Sequence, residues 1–393
     1  AIVIGSTTLI IVKDFIADWL GEPGLSTFLM FGALLIGANS LKWFFRRIFL
    51  GFERVDYSAT ISIAHDITRV ILVITFALVY GIVGAIIGYV LSALIAAIAG
   101  GIIFFCQFFH DYEFSVIPQT LKRRVIEYSL PLTMTQGTDI LDRHIDTLLV
   151  GIFLSPVFVS YYVISKQVIM AIERPAAAIG FSISPSVSAD ATSGSNGQAS
   201  ELYSKSLENI LIFYIPICAG IILIAEPAVR FIFGQQYIEA VPILQILSIY
   251  GLLQSVTYTT MWSLDFLGKA KYVAYAKMAT SASNVVLNII LIPMIGVVGA
   301  AVATVITHFG YVCTNLFIIN KSLNINWIVI SKSSIKTSAS TVLMTMAIYS
   351  MFSHIQSLLT LTGAIILGIL IWFLPSVYMD IVSVDDIQNV LKI

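Results

Sequence analysis

The chain has 393 residues, of which 58% are hydrophobic and only 11% are charged. Soluble globular domains carry about 25% charged residues, which they need to wet their surface. Most of the outer surface must therefore face something other than water, which excludes a soluble enzyme, a secreted disulfide-rich scaffold and a nucleic-acid-binding protein.

About twelve stretches of mostly apolar residues follow one another along the chain, each near the length of about 20 residues that spans a bilayer as a helix. They lie at 1–17, 25–45, 57–79, 81–106, 124–153, 157–180, 204–225, 240–262, 272–294, 296–319, 333–352 and 358–379. The runs are continuous rather than alternating in ten-residue segments, which favours helices over an outer-membrane barrel. The predicted fold class is an all-α polytopic membrane protein.

Charged residues between the spans predict an orientation. If the loop at 42–54 is cytoplasmic, the loops on its side hold 15 of the 21 Lys and Arg residues, and the opposite side holds only Lys13 and Arg230. This is the bias of the positive-inside rule, so we expect a multi-pass protein of the cytoplasmic membrane with a cytoplasmic C-terminus. The longest polar stretch, 184–206, is rich in Ser, Ala and Gly and reads as a flexible loop on that side.

An internal repeat relates two parts of the chain. Residues 57–85 align without gaps to 272–300, with 10 of 29 positions identical, including Gly81 with Gly296 and Gly84 with Gly299. Both copies start on the predicted cytoplasmic side, so the repeat is parallel. Parallel repeats are typical of transporters that handle a substrate between two halves near the bilayer midplane.

The repeat also predicts the domain organisation. Residues 1–106 form an N-terminal bundle that lacks its first two helices, and 107–123 form a cytoplasmic linker. Residues 124–319 form a C-terminal six-helix bundle, and 333–379 add two further helices. We therefore expect two helices upstream of Ala1 and fourteen helices in the complete protein.

Several short motifs resemble those of a known family. They are Ile145 to Gly151 followed by Tyr161 and Tyr162, Phe233 to Tyr237, Phe266 to Lys269, Asn284, Asn288, Ile292-Pro293 and Gly296 to Thr304. In this order they resemble the Wzx-type polysaccharide flippases of the MOP superfamily and the related archaeal lipid-linked oligosaccharide flippases. Many relatives have Gly-x-Tyr where this chain has Ser160-Tyr161-Tyr162.

The resemblance implies two six-helix bundles around a central cavity that opens alternately to each side, as in MATE-like transporters. The implied cargo is an oligosaccharide on a polyprenyl phosphate or pyrophosphate, moved across the membrane for polysaccharide or glycoprotein glycan export. Glycosyltransferases or a polymerase of the same pathway are the implied partners, besides membrane lipids. The alternative is a cation-coupled multidrug or metabolite exporter of the same superfamily. A membrane-embedded glycosyltransferase is disfavoured, since no large loop with acidic residues is visible.

Charged residues inside the predicted spans are functional candidates, because each costs about 2.5–3.5 kcal/mol at mid-bilayer on insertion scales. At about 100° per residue, Asp139, Asp142, Arg143 and Asp146 share one face of the span 124–153. This stripe predicts a cavity lining, with the three aspartates as candidates for coupling to a proton or cation. The structural alternative is that the charges neutralise one another along the helix.

Three basic residues inside spans are the candidates for binding the phosphate of the implied cargo: Arg69, Arg143 and Lys166. Arg offers a planar fork that matches phosphate oxygens, whereas Lys acts as a point charge. The structural alternatives are an Asp66–Arg69 pair and a pairing of Lys166 with an aspartate of the preceding helix. No nucleotide-binding loop, catalytic nucleophile motif or metal-ligand spacing is present, so neither a cofactor nor a metal site nor an enzymatic activity is expected.

Overall fold

The computed structural model describes residues 2–19, 21, 24–108, 119–192 and 196–378, without the side chains of 2–4, of most of 122–142, and of 191, 192 and 196. Within these ranges the regular structure is helical and contains no strand. The α-helices are α1 (Ile2–Trp19), α2 (Leu25–Gly51), α3 (Val55–Gln107), α4 (Gln119–Phe153), α5 (Pro156–Thr192), α6 (Asn196–Ala228), α7 (Val241–Phe266), α8 (Ala270–Ile295), α9 (Val297–Leu323), α10 (Trp327–Ser350) and α11 (Leu358–Tyr378).

Each predicted span falls on one helix, except that two of them form the two halves of α3. Seven helical segments among the described residues are long and apolar enough to cross a membrane. The large apolar side chains exposed along them include Leu78, Ile82 and Phe317, at 83%, 71% and 71%. Such a surface is stable only in lipid, which confirms a multi-pass, all-α membrane protein.

The chain divides into two compact units, Ala1–Tyr128 and Ser129–Ile393, called unit 1 and unit 2 below. In unit 1, α1 packs on α2, and α2 packs on α3. The core of this unit gathers Phe49, Ile61 and Ala96. In unit 2, α7 packs against α5, α6 and α9, while α10 and α11 pack on α6. Its main core centres on Tyr162, Ile243 and Ile292.

The two copies of the repeat contain the same backbone break. Gly81 interrupts α3 at φ 60° and ψ −142°, and Gly296 separates α8 from α9 at φ 67° and ψ −152°. A side chain strains the backbone in this region, so glycine is needed at both turns. Three residues later, a Cβ added to Gly84 would collide with the Phe76 carbonyl, and one on Gly299 with the Leu291 carbonyl. Each copy of the repeat is therefore a tight helical hairpin closed by glycines.

The prediction of a flexible loop at 184–206 is wrong for the described residues, 184–192 and 196–206. Helix α5 continues to Thr192 and α6 begins at Asn196. Within this stretch Val187, Ala199 and Tyr203 are completely buried and belong to one apolar core with α7 and α9. Small Ser, Ala and Gly residues allow close helix packing here, and their composition alone does not distinguish that role from a flexible segment.

Helix α5 carries a proline in its interior. Pro175 has no backbone N–H, and its ring disturbs the hydrogen bonds of the preceding turn. The Tyr214 hydroxyl from α6 lies at this point: it donates to the Ile172 carbonyl over 2.7 Å and accepts from the Ala176 N–H over 3.1 Å. The hydroxyl thus satisfies both groups that pair with each other in an unbroken helix, and α5 continues past the proline.

Candidate functional site

The interior of unit 2 holds a carboxylate, that of Asp146. Asp146 is 4% exposed and lies on α4, beside the core residues Leu149 and Val150. Three donors from three other helices reach it. Tyr162 on α5 and Thr304 on α9 donate to Oδ2 over 3.1 and 3.0 Å, and Asn288 on α8 donates to Oδ1 over 2.9 Å. The carboxylate therefore ties four helices together through hydrogen bonds from neutral groups.

A polar row on α8 and α9 continues from this carboxylate. Asn288 Nδ2 also lies 2.9 Å from the side-chain oxygen of Asn284, and Asn284 Nδ2 donates to Thr307 over 3.3 Å. The other side-chain oxygen of this pair, Asn288 Oδ1, is buried and has no hydrogen-bond partner among the described residues. The Asn288 side chain therefore donates to Asp146 through Nδ2, while its Oδ1 accepts no hydrogen bond from a described residue.

The two predicted cations of unit 2 lie next to this network. Lys166 Nζ donates to the backbone carbonyl of Arg143, joining α5 to α4, and lies 5.6 Å from the centre of the Tyr162 ring. The positive charge of Lys166 also attracts the Asp146 carboxylate. The Arg143 side chain is exposed. The structure therefore brings Arg143, Lys166 and Asp146 into one region of unit 2, with the acid inside the bundle.

The other two predicted acids, Asp139 and Asp142, lie in α4, but their side chains are outside the described part of the chain. The shared face of Asp139, Asp142, Arg143 and Asp146 therefore remains a prediction. Asp146 contacts the interior of its own bundle through three hydrogen bonds, which the periodicity of α4 alone does not reveal.

Sequence reasoning missed a second buried acid of unit 2. Glu173 on α5 is 5% exposed, and the Tyr258 hydroxyl on α7 lies 3.4 Å from its Oε2. Its Oε1 is buried without a hydrogen-bond partner among the described residues. Arg143 and Lys166 act on this carboxylate through their charge. The signal in the sequence was its place on the same face of α5 as Lys166 and Tyr162, about two turns after Lys166 and about three turns after Tyr162.

The third predicted cation, Arg69, belongs to unit 1. It lies on the first half of α3 and forms an ion pair with Asp66 at 3.2 Å, with 35% of its side chain exposed. Its guanidinium also lies 3.5 Å from the Tyr89 hydroxyl and 5.5 Å from the centre of that ring, on the second half of α3. The Asp66–Arg69 pair that the spacing allowed is therefore present, and Tyr89 holds the guanidinium on the hairpin.

This chain is similar in sequence to known proteins. The sequence profile of a family described as polysaccharide biosynthesis protein matches residues 2–242. A relative from Haloferax volcanii, described as probable low-salt glycan biosynthesis flippase Agl15, is 28% identical over 193 residues. The matched stretch covers 47% of this chain and 41% of that relative, so it spans less than half of the relative's length.

Two solved structures share the fold. The lipid II flippase MurJ in an inward closed conformation superposes with a TM-score of 0.65 at 20% identity, covering 90% of this chain and 72% of that protein. A multidrug resistance MATE family transporter of the MOP superfamily, in an inward-facing conformation, also gives 0.65 at 15% identity, covering 83% and 78%. At these identities the similarity establishes the fold alone, which this chain shares with both proteins.

Proposed function

The chain belongs to the polysaccharide biosynthesis protein family, and from this premise we propose that it is part of a flippase for lipid-linked oligosaccharide. The observation that carries the proposal is the family match over residues 2–242, together with similarity to a glycan-biosynthesis flippase. On this proposal the protein is a transporter and not an enzyme. Its cargo is an oligosaccharide on a polyprenyl phosphate or pyrophosphate, moved by alternating access.

Cations inside the spans suit such a cargo. A phosphate that enters a low-dielectric region loses hydration, and hydrogen-bonded cations offset that cost. Arg143 and Lys166 in unit 2 and Arg69 in unit 1 are the groups we assign to this task. Arg143 is exposed, and Arg69 is half-exposed with its charge shared with Asp66, so both are accessible to an anion.

We assign energy coupling to Asp146. Its three donors stabilise the carboxylate anion, so a proton bound there weakens their hydrogen bonds because it removes the negative charge. A bound monovalent cation would instead use the carboxylate together with the Asn288 Oδ1, which accepts no hydrogen bond within the described part of the chain. Because the donors come from α5, α8 and α9, either event changes the packing of four helices at once. Asp139 and Asp142 stand as further coupling candidates on α4.

The site of action we propose is the cytoplasmic membrane, with the C-terminus of the chain in the cytoplasm. The support is the distribution of Lys and Arg, which favours one set of loops by 15 to 2. Glycosyltransferases or a polymerase that build and use the same glycan are the proposed partners, since they share the lipid-linked substrate.

Complementation tests the proposal. The natural protein is expressed in a strain that lacks its own oligosaccharide flippase. The amount of surface glycan is then measured, together with the amount of the protein in the membrane. Restored surface glycan is the expected result. Resistance to cationic drugs without any surface glycan would instead identify the multidrug-exporter alternative.

A further inference from the structure

Helix α7 presents an open stripe of polar and aromatic side chains. The helix packs against α5, α6 and α9, and half of its apolar segment is buried. Gln254, Tyr258 and Trp262 recur at every fourth position along it, and each is half-buried. Residues four apart lie on one face of a helix. The open face of α7 therefore carries an amide, a phenol and an indole.

The exposed face of α11 shows what a lipid-facing surface of this protein carries. There Ile366, Leu370 and Leu374 recur with the same spacing and are 59%, 51% and 69% exposed. Gln254, by contrast, lies in the middle of α7. An amide in contact with hydrocarbon would leave its hydrogen-bonding groups unsatisfied, at a cost in free energy. The stripe on α7 therefore suits a ligand with both apolar faces and hydrogen-bonding groups, and it does not suit lipid.

The buried carboxylate of Glu173 lies beside this stripe. The Tyr258 hydroxyl is 3.4 Å from its Oε2, and its Oε1 has no hydrogen-bond partner among the described residues. An ionised carboxylate only accepts hydrogen bonds, so the phenol donates to Glu173 and keeps its own oxygen as an acceptor. The Gln254 side chain interacts with the same hydroxyl. The Oε1 of Glu173 therefore still lacks a donor, next to a phenol oxygen and an amide.

Close packing of α5 on α7 fixes the geometry of the stripe. A Cβ added to Gly180 on α5 would lie 2.9 Å from the Tyr258 carbonyl oxygen, so the two backbones touch at this point. One residue later, the Phe181 ring meets the Trp262 ring edge to face, with centres 5.5 Å apart. These contacts hold the phenol and the indole in place. A ligand that binds there loses little affinity to the ordering of the protein.

The stripe begins near the cations of unit 2. The charges of Arg143 and Lys166 both act on Glu173. At 1.5 Å per residue, the stripe is about 12 Å long from Gln254 to Trp262. In a lipid-linked oligosaccharide the first sugar is bonded directly to the phosphate, so a sugar site belongs beside a phosphate site. Sugar rings have faces of C–H groups, which pack on aromatic rings, and rims of hydroxyl groups, which donate to carboxylates.

We propose that Glu173, Gln254, Tyr258 and Trp262 form a binding site within unit 2 for uncharged sugars of the cargo. Sugar hydroxyl groups donate to Glu173 and Tyr258, the Gln254 amide bonds a further hydroxyl, and one sugar face packs on the indole of Trp262. The assignment rests on the proposed function for the lipid that carries the sugar. The negative charge of Glu173 disfavours a uronic acid at the same place, because like charges repel.

Binding measurements on the natural protein, purified in detergent, test the site. The probes are citronellyl pyrophosphate, the same lipid bearing lactose, the same lipid bearing cellobiouronic acid, and free lactose. The variants are Glu173→Gln, which removes the charge, and Trp262→Leu, which keeps an apolar side chain but loses the flat ring. Glu201→Gln and Trp19→Leu, at exposed residues, are the matched controls. The affinity of each variant for the sugar-free lipid reports whether the protein is still folded.

We expect the natural protein to bind the lactosyl lipid about tenfold more tightly than the sugar-free lipid. Trp262→Leu should remove most of this advantage, because the sugar face loses its aromatic surface. Glu173→Gln should weaken binding of the lactosyl lipid by about tenfold, but not binding of the cellobiouronosyl lipid, since the repulsion is gone. Both variants should bind the sugar-free lipid normally, and the two controls should change nothing.

Two results overturn the site. Equal affinity of the natural protein for the lactosyl and sugar-free lipids does so, and it leaves the lipid-linked cargo of the proposed function untouched. An unchanged preference for lactose over cellobiouronic acid in Glu173→Gln also overturns it, because a merely structural change weakens both alike.

Free lactose separates the site from the proposed function. A protein that binds none of the lipids but binds free lactose through Trp262 loses the proposed function and retains the sugar site. A protein that binds no probe loses both.

Discussion

Asn288 on α8 donates a hydrogen bond of 2.9 Å to Asp146 on α4, although the two helices are widely separated in the chain. The same carboxylate accepts from Tyr162 on α5 and Thr304 on α9. A buried charge held by donors of three other helices is sensitive to anything that neutralises it. This relationship is the physical basis for assigning energy coupling to Asp146.

Asp146→Asn is expected to uncouple transport. Asparagine keeps the size of the side chain but neither binds a proton nor supplies a negative charge to a cation. We expect glycan export to fall by about tenfold or more, and the remaining transport to lose its dependence on an ion gradient. Transport into proteoliposomes, with and without a proton or sodium gradient, measures both effects. Asp18→Asn, at an exposed aspartate, should behave as wild type, and retained gradient dependence in Asp146→Asn would disprove the assignment.

Tyr162→Phe is expected to destabilise unit 2. Tyr162 is completely buried, and its hydroxyl bonds Asp146 and lies 3.3 Å from Thr304. Loss of one donor to a charged group should lower the free energy of unfolding by about 1.5–3 kcal/mol. In the Asp146→Asn background the same change should cost less, because the acceptor is no longer charged. Equal costs in both backgrounds, measured by thermal unfolding in detergent, would show that the hydroxyl does not act through the carboxylate.

Arg143 is expected to contribute to transport more than to folding, because its side chain is exposed. Arg143→Ala should lower export by about tenfold to a hundredfold at an unchanged membrane level, as expected for a lost charge-assisted hydrogen bond. Arg143→Lys should retain an intermediate activity, since it keeps the charge and loses the planar fork. Full export by a well-expressed variant without Arg69, Arg143 and Lys166 would exclude the phosphate-binding role of all three.

Gly81→Ala and Gly296→Ala are expected to destabilise the two hairpins by similar amounts. Both positions have positive φ and a backbone conformation that side chains strain, at a cost of about 1–3 kcal/mol. Gly310→Ala is the control, because this glycine lies in α9 with open space around it. There the change should be neutral or stabilising by up to about 1 kcal/mol. A neutral Gly296→Ala in thermal unfolding would contradict the shared turn geometry.

Tyr214→Phe is expected to weaken α5 at its proline. The change removes the hydroxyl from the Ile172 carbonyl and the Ala176 N–H, at a cost of about 1–3 kcal/mol. Adding Pro175→Ala restores the missing backbone N–H, so the double variant should recover part of the loss. Tyr349→Phe, at a 73% exposed tyrosine, should be neutral. Failure of Pro175→Ala to compensate, again in thermal unfolding, would show that the hydroxyl stabilises something other than the broken turn.

The helices and the repeat were predictable because they depend on local properties. The length of each apolar run gives the spans, and the matching glycines at 81 and 296 mark the same turn in both copies. Helix ends were less predictable. The run of Lys and Arg after residue 41 resembles a cytoplasmic loop, whereas α2 includes it and buries Lys42.

The partners of the buried charges were not predictable from the sequence. The face of α4 that carries Asp146 follows from helical periodicity, but Asn288 and Thr304 reach it only through the packing of helices distant in the chain. Glu173 lies on the same face of α5 as Lys166 and Tyr162, but only the packing of α5 on α7 buries it. Interhelical contacts of this kind depend on the tertiary arrangement and leave no local signal.

Translocation of a fluorescent lipid-linked oligosaccharide by the purified natural protein in proteoliposomes tests the central claim most directly. A membrane-impermeant quencher, added outside, reports how much of the probe has crossed. We expect rapid crossing that an ion gradient accelerates. Crossing should be strongly reduced in Arg143→Ala, and it should no longer respond to the gradient in Asp146→Asn. Crossing no faster than in protein-free liposomes, from protein that is folded and inserted, would contradict it.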